Sequence, residues 1–188
     1  DWRDPKNHAS TGLPTCMTKV GIMDDKGNLL PTGKKGEIVL AGDLVMKGYY
    51  ELPEKTSETI IDGWLHTGDI GYIDGRGFVF IKDRLRDVVI TGGFNVYPSD
   101  VESILGQHPD VSECVVFGLA DDKWGEAVHA AVELKKGSYC DEITLITFIK
   151  SRLDSIKAPK RIHIANQLPR SSVGKILRRE AKIKFSDS

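Results

Sequence analysis

Lys175 lies in a segment that could carry a positive charge to a phosphate or a carboxylate. The segment reads Pro-Arg-Ser-Ser-Val-Gly-Lys-Ile-Leu-Arg-Arg from Pro169. Pro169 and Gly174 indicate a loop, and the spacing after them predicts a short helix over 175–184. Four of its side chains are expected to be partly buried: Ile176, Leu177, Ala181 and Ile183. A lysine at such a junction presents a compact, mobile charge, but a single surface lysine is more often only solvated.

Asp69 is a second candidate, because it follows Thr67 and Gly68 at the predicted start of a strand. Glycine lets the backbone turn sharply there and leaves the carboxylate presented. A carboxylate that accepts two hydrogen bonds matches the paired hydroxyls of a ribose. The alternative is a turn aspartate that binds its own backbone, which is the commoner use of Gly-Asp.

Gly92 and Gly93 stand between a predicted strand and Phe94-Asn95-Val96. Two glycines permit positive φ angles, or a close approach of the backbone to a ligand. A simple tight turn explains the same pair equally well.

The elements that must position these residues change character along the chain. Short strands and hairpins fill the first part, with a helical turn at Pro53. A charged stretch at 83–87 follows, and beyond it the order is βαββαβ with a last helix. We therefore predict an α+β chain with a β-rich part over 1–84 and a compact α+β domain over 85–188. Inward positions are expected at Val101, Ile104 and Leu105 of one helix, and at Ile143, Ile146, Ile149 and Leu153 of the next.

The composition is that of a globular protein, with 40% hydrophobic and 28% charged residues in 188. A net charge of −1 gives no field that favours nucleic acid or a membrane surface. No run approaches the roughly 20 apolar residues of a membrane helix. The three cysteines and five histidines show no metal-ligand spacing, so no metal site is predicted. Reduced thiols and the missing signal peptide make the cytoplasm the expected location.

Four motifs along the chain together resemble the adenylate-forming superfamily, which includes acyl-CoA synthetases, peptide-synthetase adenylation domains and luciferases. They are Gly36–Gly42 with Lys47–Tyr50, Gly63–Ile81, Lys82–Glu102, and the segment around Lys175. They fall in the family's order between about Gly33 and Lys184. The sequence Thr-Gly-Gly-Phe-Asn-Val-Tyr-Pro from Thr91 resembles the acid–CoA ligase branch more than the peptide-synthetase branch.

The resemblance assigns a role to each candidate. Lys175 becomes the catalytic lysine of adenylate formation, and Asp69 becomes the ribose-binding aspartate. Arg84 becomes a second ribose or phosphate contact, unless it only pairs with Asp83 or Asp87 at the surface.

The resemblance also implies a moving second domain. Arg86 takes the position of the hinge residue, although many relatives carry Asp or Lys there. Gly92 and Gly93 are then expected to line the tunnel for the pantetheine arm of CoA. The nine Lys and Arg residues over 157–184 form either a solvated face or a basic edge that steers CoA.

The implied parent enzyme activates a carboxylic acid with ATP and passes the acyl group to CoA, releasing AMP. Mg²⁺ is implied for ATP binding, but no ligand for it can be named in this chain. The family's phosphate loop and acid pocket lie upstream of these motifs, so the chain is expected to be a C-terminal part that is inactive alone. Transfer to a carrier protein, oxidation of the acyl group, and a noncatalytic nucleotide-binding or interaction module remain alternatives. Acid specificity and oligomeric state are not indicated.

Overall fold

The computed structural model describes Asp4 and residues 7–186. The chain divides into two compact units, one up to Arg86 and the other from Asp87 onward. Each unit combines a mainly antiparallel sheet with helices, and the predicted α+β class is confirmed. Among the described residues, no helix is both long and apolar enough to cross a membrane.

The first unit is a five-stranded antiparallel sheet with one short helix. Its elements are β1 (Thr18–Met23), β2 (Gly36–Gly42), α1 (Pro53–Thr59), β3 (Ile60–Ile61), β4 (Trp64–Ile73) and β5 (Val79–Arg84). β4 is the central partner, because β2, β3 and β5 all pair with it. A small core of Ile22, Ile38 and Val79 lies on this sheet. The helix begins at Pro53 with an acid beside it, as predicted.

The second unit builds another five-stranded sheet and three helices. Its elements are β6 (Val89–Thr91), β7 (Phe94–Val96), α2 (Pro98–Leu105), β8 (Val111–Asp121), β9 (Gly125–Leu134), α3 (Glu142–Lys150), β10 (Arg161–Ile164) and α4 (Arg178–Phe185). β9 pairs antiparallel with β8 over nearly its whole length and parallel with β10. β6 joins β9 through Thr91 and Gly125, and β7 pairs with β6.

Both faces of this second sheet are apolar, since alternate side chains of β8 enter different clusters. Val116 packs with side chains of α2 and α3, among them Val101, Leu105, Leu145 and Ile149. On the other face, Val115 and Phe117 pack with Leu168 and with Ala181 of α4. The sheet therefore lies between two helices on one side and α4 with its preceding loop on the other.

Three details of the predicted elements are wrong. The strand β7 was not predicted, so the order is ββαββαβα. Ile143 is 74% exposed, because Leu145 takes the inward position beside the correctly predicted Ile149, and Ile183 of α4 is 63% exposed. The last helix begins at Arg178 rather than at Lys175.

Candidate functional site

Asp69 and Arg84 meet as direct partners across β4 and β5. The Nε of Arg84 donates to Oδ1 of Asp69 at 2.9 Å. The sequence left open whether Arg84 binds a ligand or only pairs with Asp83 or Asp87. In the structure, Arg84 pairs with Asp69. The Arg84 side chain is 60% exposed, so the pair adds little stability. Its main effect is to hold one oxygen of the Asp69 carboxylate in place.

A left-handed residue next to Asp69 is fixed by Glu37 of β2. Gly68 has φ +71°, and its N–H donates to Glu37 Oε1 at 2.9 Å. The other oxygen of Glu37 lies 2.7 Å from Nδ1 of His66. Asp69 therefore sits inside β4, not at a strand start, next to a kink held by its neighbour strand. Glu37 was quoted in a motif but given no role, because its partners are about thirty positions away.

The segment between the two units is a single 3₁₀ turn, Leu85–Asp87. Arg86 is exposed and is the last residue of the first unit. Its role as a hinge stays a prediction.

Arg178 ties the first residue of the second unit to two of its helices. Its guanidinium donates to Asp87 at 2.9 Å and to Glu102 Oε1 at 2.8 Å. The same Glu102 oxygen accepts the N–H of Val116 at 2.8 Å. Partial burial opposes the charge, but the Glu102 and Asp87 carboxylates outweigh it and raise the pKa of Arg178. No local sequence pattern indicates this network beyond the basic run over 157–184.

Gly92 and Gly93 form the two-residue turn of the β6–β7 hairpin. Both have positive φ, +56° and +80°, as the tight turn between twisted strands requires. Gly92 also approaches Trp124 closely: a Cβ there would lie 2.8 Å from the indole. Its N–H donates to the Trp124 carbonyl at 2.9 Å. The tight-turn interpretation is correct, and the tunnel role stays a prediction.

Lys175 is exposed at the end of a small hairpin-like turn rather than in a helix. Ser171 donates its N–H to the Lys175 carbonyl at 2.8 Å, and the Lys175 N–H donates to Ser171 Oγ at 3.2 Å. Gly174, at φ +83°, allows the reversal. Arg170 and Ile176 close the turn as a bridge pair. The Lys175 carbonyl thus accepts from Ser171 behind it and not from a residue one turn ahead, as it would in a helix that began at Lys175.

Arg170 anchors this turn to the sheet. Its guanidinium pairs with Glu113 of β8 and lies 2.9 Å from Glu133 Oε1 of β9. The same Glu133 oxygen accepts the N–H of Leu168 at 2.6 Å. Glu113 and Glu133 are direct cross-strand partners, an arrangement that is repulsive without a cation. Their carboxylates raise the pKa of Arg170.

The basic run over 157–184 is therefore partly structural. Arg170 and Arg178 are engaged as described, and Lys182 lies 3.6 Å from Glu126. Glu126 in turn accepts the N–H of Ile90 at 2.9 Å.

A separate surface pocket of about 540 Å³ in the first unit is lined by Lys47, Tyr49 and Thr56, among others, and by none of the predicted site residues.

Histidines that are scattered in the sequence come together in the fold. His129 Nδ1 lies 3.2 Å from His163 Nε2, on the parallel strands β9 and β10. Phe185 of α4 stacks on His163 with ring centres 4.9 Å apart. Burial lowers the pKa of both histidines. A second grouping brings His108 close to Asp110 and Cys140, although Cys140 is about thirty positions away in the sequence.

Comparisons with known proteins cover both units. The family model of AMP-binding enzymes matches residues 1–50, and the model of the AMP-binding enzyme C-terminal domain matches residues 100–175. The second match ends at Lys175.

A fatty acid–[acyl-carrier-protein] ligase of Streptomyces coeruleorubidus is 44% identical over 94% of this chain and 34% of its own length. A medium/long-chain-fatty-acid–CoA ligase of Mycobacterium tuberculosis is 40% identical over 97% of this chain and 33% of its own. The crystal structure of ATP-bound MatB from Rhodopseudomonas palustris is 36% identical, with a TM-score of 0.88 over 95% of this chain and 36% of that one. The chain thus spans about a third of the relatives it matches. Their agreement with both family models and with the motif order shows that the chain belongs to the adenylate-forming superfamily of AMP-binding enzymes.

Proposed function

We propose that the chain is part of an AMP-forming acid–CoA ligase and carries two pieces of its machinery. Asp69 and Arg84 contact the nucleotide, and Lys175 promotes formation of the acyl-adenylate. The observation that carries the proposal is the Asp69–Arg84 pair, in which the exposed guanidinium of Arg84 holds one oxygen of a partly exposed carboxylate. A ribose offers the paired hydroxyl donors that such a carboxylate accepts.

In the first half-reaction, a carboxylate oxygen of the acid attacks the α-phosphorus of ATP and pyrophosphate leaves. Negative charge develops on the phosphate oxygens, and a positioned ammonium stabilises it electrostatically. Lys175 suits this task because its turn is fixed by Arg170 while its side chain remains exposed. Proton transfer is not required of it.

In the second half-reaction, the CoA thiol attacks the acyl carbon and AMP leaves, with the thiol proton passing to solvent. Rotation about Arg86 would withdraw Lys175 and bring the Gly92–Gly93 turn to the same centre. A short 3₁₀ turn between two compact units is the kind of segment that absorbs such a rotation. The proposal assigns no residue of this chain to Mg²⁺.

The thiol acceptor of the second half-reaction has two candidates. The carrier-protein ligase from Streptomyces favours a second candidate, in which a carrier-bound thiol replaces CoA. Both acceptors present a thiol, so the two candidates share every step up to the adenylate.

The test uses the full-length enzyme and separates the half-reactions. Lys175→Ala should lower acid-dependent pyrophosphate exchange by about a hundredfold or more, because one charge contact to the transition state is lost. Thioester formation from supplied acyl-adenylate should remain nearly unchanged. Arg179→Ala, an exposed charge in the same segment, serves as the control and should leave both rates unaltered.

An equal loss in both half-reactions would contradict the role of Lys175. Supplying CoA and carrier protein separately identifies the acceptor. If neither pyrophosphate exchange nor thioester formation occurs with any of a panel of acids, while AMP still binds, the noncatalytic module is the better description.

A further inference from the structure

Three side chains of the kinds that bind zinc come together in the second unit, and none belongs to the predicted site. His108 and Asp110 lie in the turn between α2 and β8. Cys140 directly precedes Asp141, the N-cap residue of α3. One ring nitrogen, one carboxylate oxygen and the sulfur all lie within 4.8 Å of one another.

The backbone around this group is held by regular structure. Val111 donates its N–H to the His108 carbonyl at 3.1 Å, and Lys135 donates its N–H to the Asp110 carbonyl at 2.8 Å. His108 and Cys140 are each only 7% exposed. Asp110 is partly exposed, so a cation and a water molecule have access from its side.

The present partners of the three side chains are weak. Asp110 donates its N–H to His108 Nδ1 at 3.3 Å, a long hydrogen bond. The Cys140 sulfur lies 3.7 Å from the carbonyl of Asp141. Either contact is lost at small cost when a stronger ligand arrives.

We propose that His108, Asp110 and Cys140 form a three-ligand site for Zn²⁺. Tetrahedral zinc takes N, O and S ligands at about 2.0–2.3 Å, which places ligand atoms about 3.3–3.8 Å apart. His108 Nδ1 and Asp110 Oδ2 are already 3.9 Å apart, so closure needs side-chain movements of about 1 Å. Cys140 binds as the thiolate and releases its proton to solvent, and water fills the fourth position. Sulfur and imidazole ligands select zinc over Mg²⁺ or Ca²⁺.

The competing explanation is purely structural. Cys140 belongs to the apolar core cluster, and the His108 ring packs edge-on against Phe148 with centres 4.8 Å apart. A small buried thiol behaves as an ordinary apolar residue in many cores. The Lys135 ammonium donates to the Pro109 carbonyl at 2.6 Å beside the same turn, and its charge lowers the affinity for a cation.

Cobalt titration of this 188-residue chain distinguishes the two explanations. The chain carries Cys16→Ser, which removes an exposed thiol. One equivalent of Co²⁺ should produce a sulfur-to-cobalt charge-transfer band and the intense visible bands of tetrahedral cobalt, and Zn²⁺ should abolish both. Cys140→Ser should remove the charge-transfer band. Asp110→Asn should weaken cobalt binding by at least about tenfold, the smallest loss seen even for outer-shell partners.

Cys114→Ser is the matched control, because Cys114 is another thiol of this unit, is partly buried, and lies outside the cluster. It should leave the spectrum unchanged. The proposal is overturned if excess cobalt gives no charge-transfer band, or if the band survives Cys140→Ser. If Cys140→Ser does not fold, as judged by circular dichroism, Asp110→Asn decides: unchanged cobalt affinity in that variant overturns the site.

Discussion

Replacing Arg178 by Met should destabilise the second unit by about 1.5–3 kcal/mol. Removing one partner of a fully buried ion pair costs about 3–5 kcal/mol, whereas an exposed pair contributes less than about 1 kcal/mol. The side chains of Arg178, Asp87 and Glu102 are 25%, 25% and 23% exposed, so solvent screens the pair only in part. The expected loss therefore lies between these limits. Met retains much of the apolar stem, so the change isolates the charged head.

The measurement is the free energy of unfolding from urea denaturation of this chain, followed by circular dichroism. Because the chain has two compact units, the curve is fitted for two transitions. Only the midpoint of the transition that belongs to the second unit should shift. Amide exchange at Val116 should also accelerate, since its N–H donates to the Glu102 oxygen that Arg178 holds.

Arg179→Met is the matched control, because this neighbour is exposed and should change the free energy by no more than about 0.5 kcal/mol. Arg178→Lys keeps the charge but cannot bridge two carboxylates in the planar geometry of a guanidinium, so about half of the loss is expected. If Arg178→Met costs no more than Arg179→Met, the network does not stabilise the unit and the reasoning fails. If Arg178→Met does not fold, Arg178→Lys is compared with Arg179→Met instead.

Two further predictions concern the turn and the histidine pair. Gly92→Ala should lose about 1–2 kcal/mol from its left-handed backbone, and more because the new Cβ would stand 2.8 Å from Trp124; Gly93→Ala, with nothing within 4 Å, should show only the first loss. Urea denaturation of both variants tests this, and equal losses would contradict it. Burial lowers the folded-state pKa of His129 and His163, so the unfolded chain binds protons first as the pH falls through about 6.5. The free energy of unfolding should therefore fall between about pH 7.5 and about pH 5.5, and less steeply in His163→Gln; identical slopes would rule out this pair as the cause.

The sequence indicated most elements of both units, because hydrophobic periodicity and the Gly or Pro residues between elements are local signals. It failed where a distant partner decides. The turn around Lys175 is closed by its own backbone, and Arg170 fixes it by pairing with carboxylates on two strands that are far away in the sequence. Because the amphipathic pattern does not contain these contacts, it placed the start of the helix three residues too early. Ile143 fits the same helical stripe as Ile149, but Leu145 rather than Ile143 is buried beside Ile149, and that depends on the packing of the helix against the sheet.

The candidate site shows the same division. The residue types at Asp69, Arg84 and Lys175 pointed to nucleotide chemistry through motif order. The residues that hold these side chains in place could not be found in this way. Glu37, which binds the Gly68 N–H, lies about thirty positions away and has no feature that distinguishes it from other acidic residues in strands. No local pattern pairs Asp69 with Arg84 either, because that contact follows from the β4–β5 register.

The opposed carboxylates on β8 and β9 have a consequence for the order in which the chain becomes stable. Glu113 and Glu133 emerge from the ribosome together as a hairpin, whereas Arg170 emerges almost forty residues after Glu133. Until then the longest strand pair of the second unit carries two facing negative charges, and its outer face lacks Leu168 and Ala181. Synthesis of the final segment both places the Arg170 cation between the two carboxylates and covers the apolar face. The segment that holds Lys175 is thus also part of the segment that completes the second unit, and a chain that ends before Leu168 lacks the lysine, the Arg170 cation and the cover of this apolar face together.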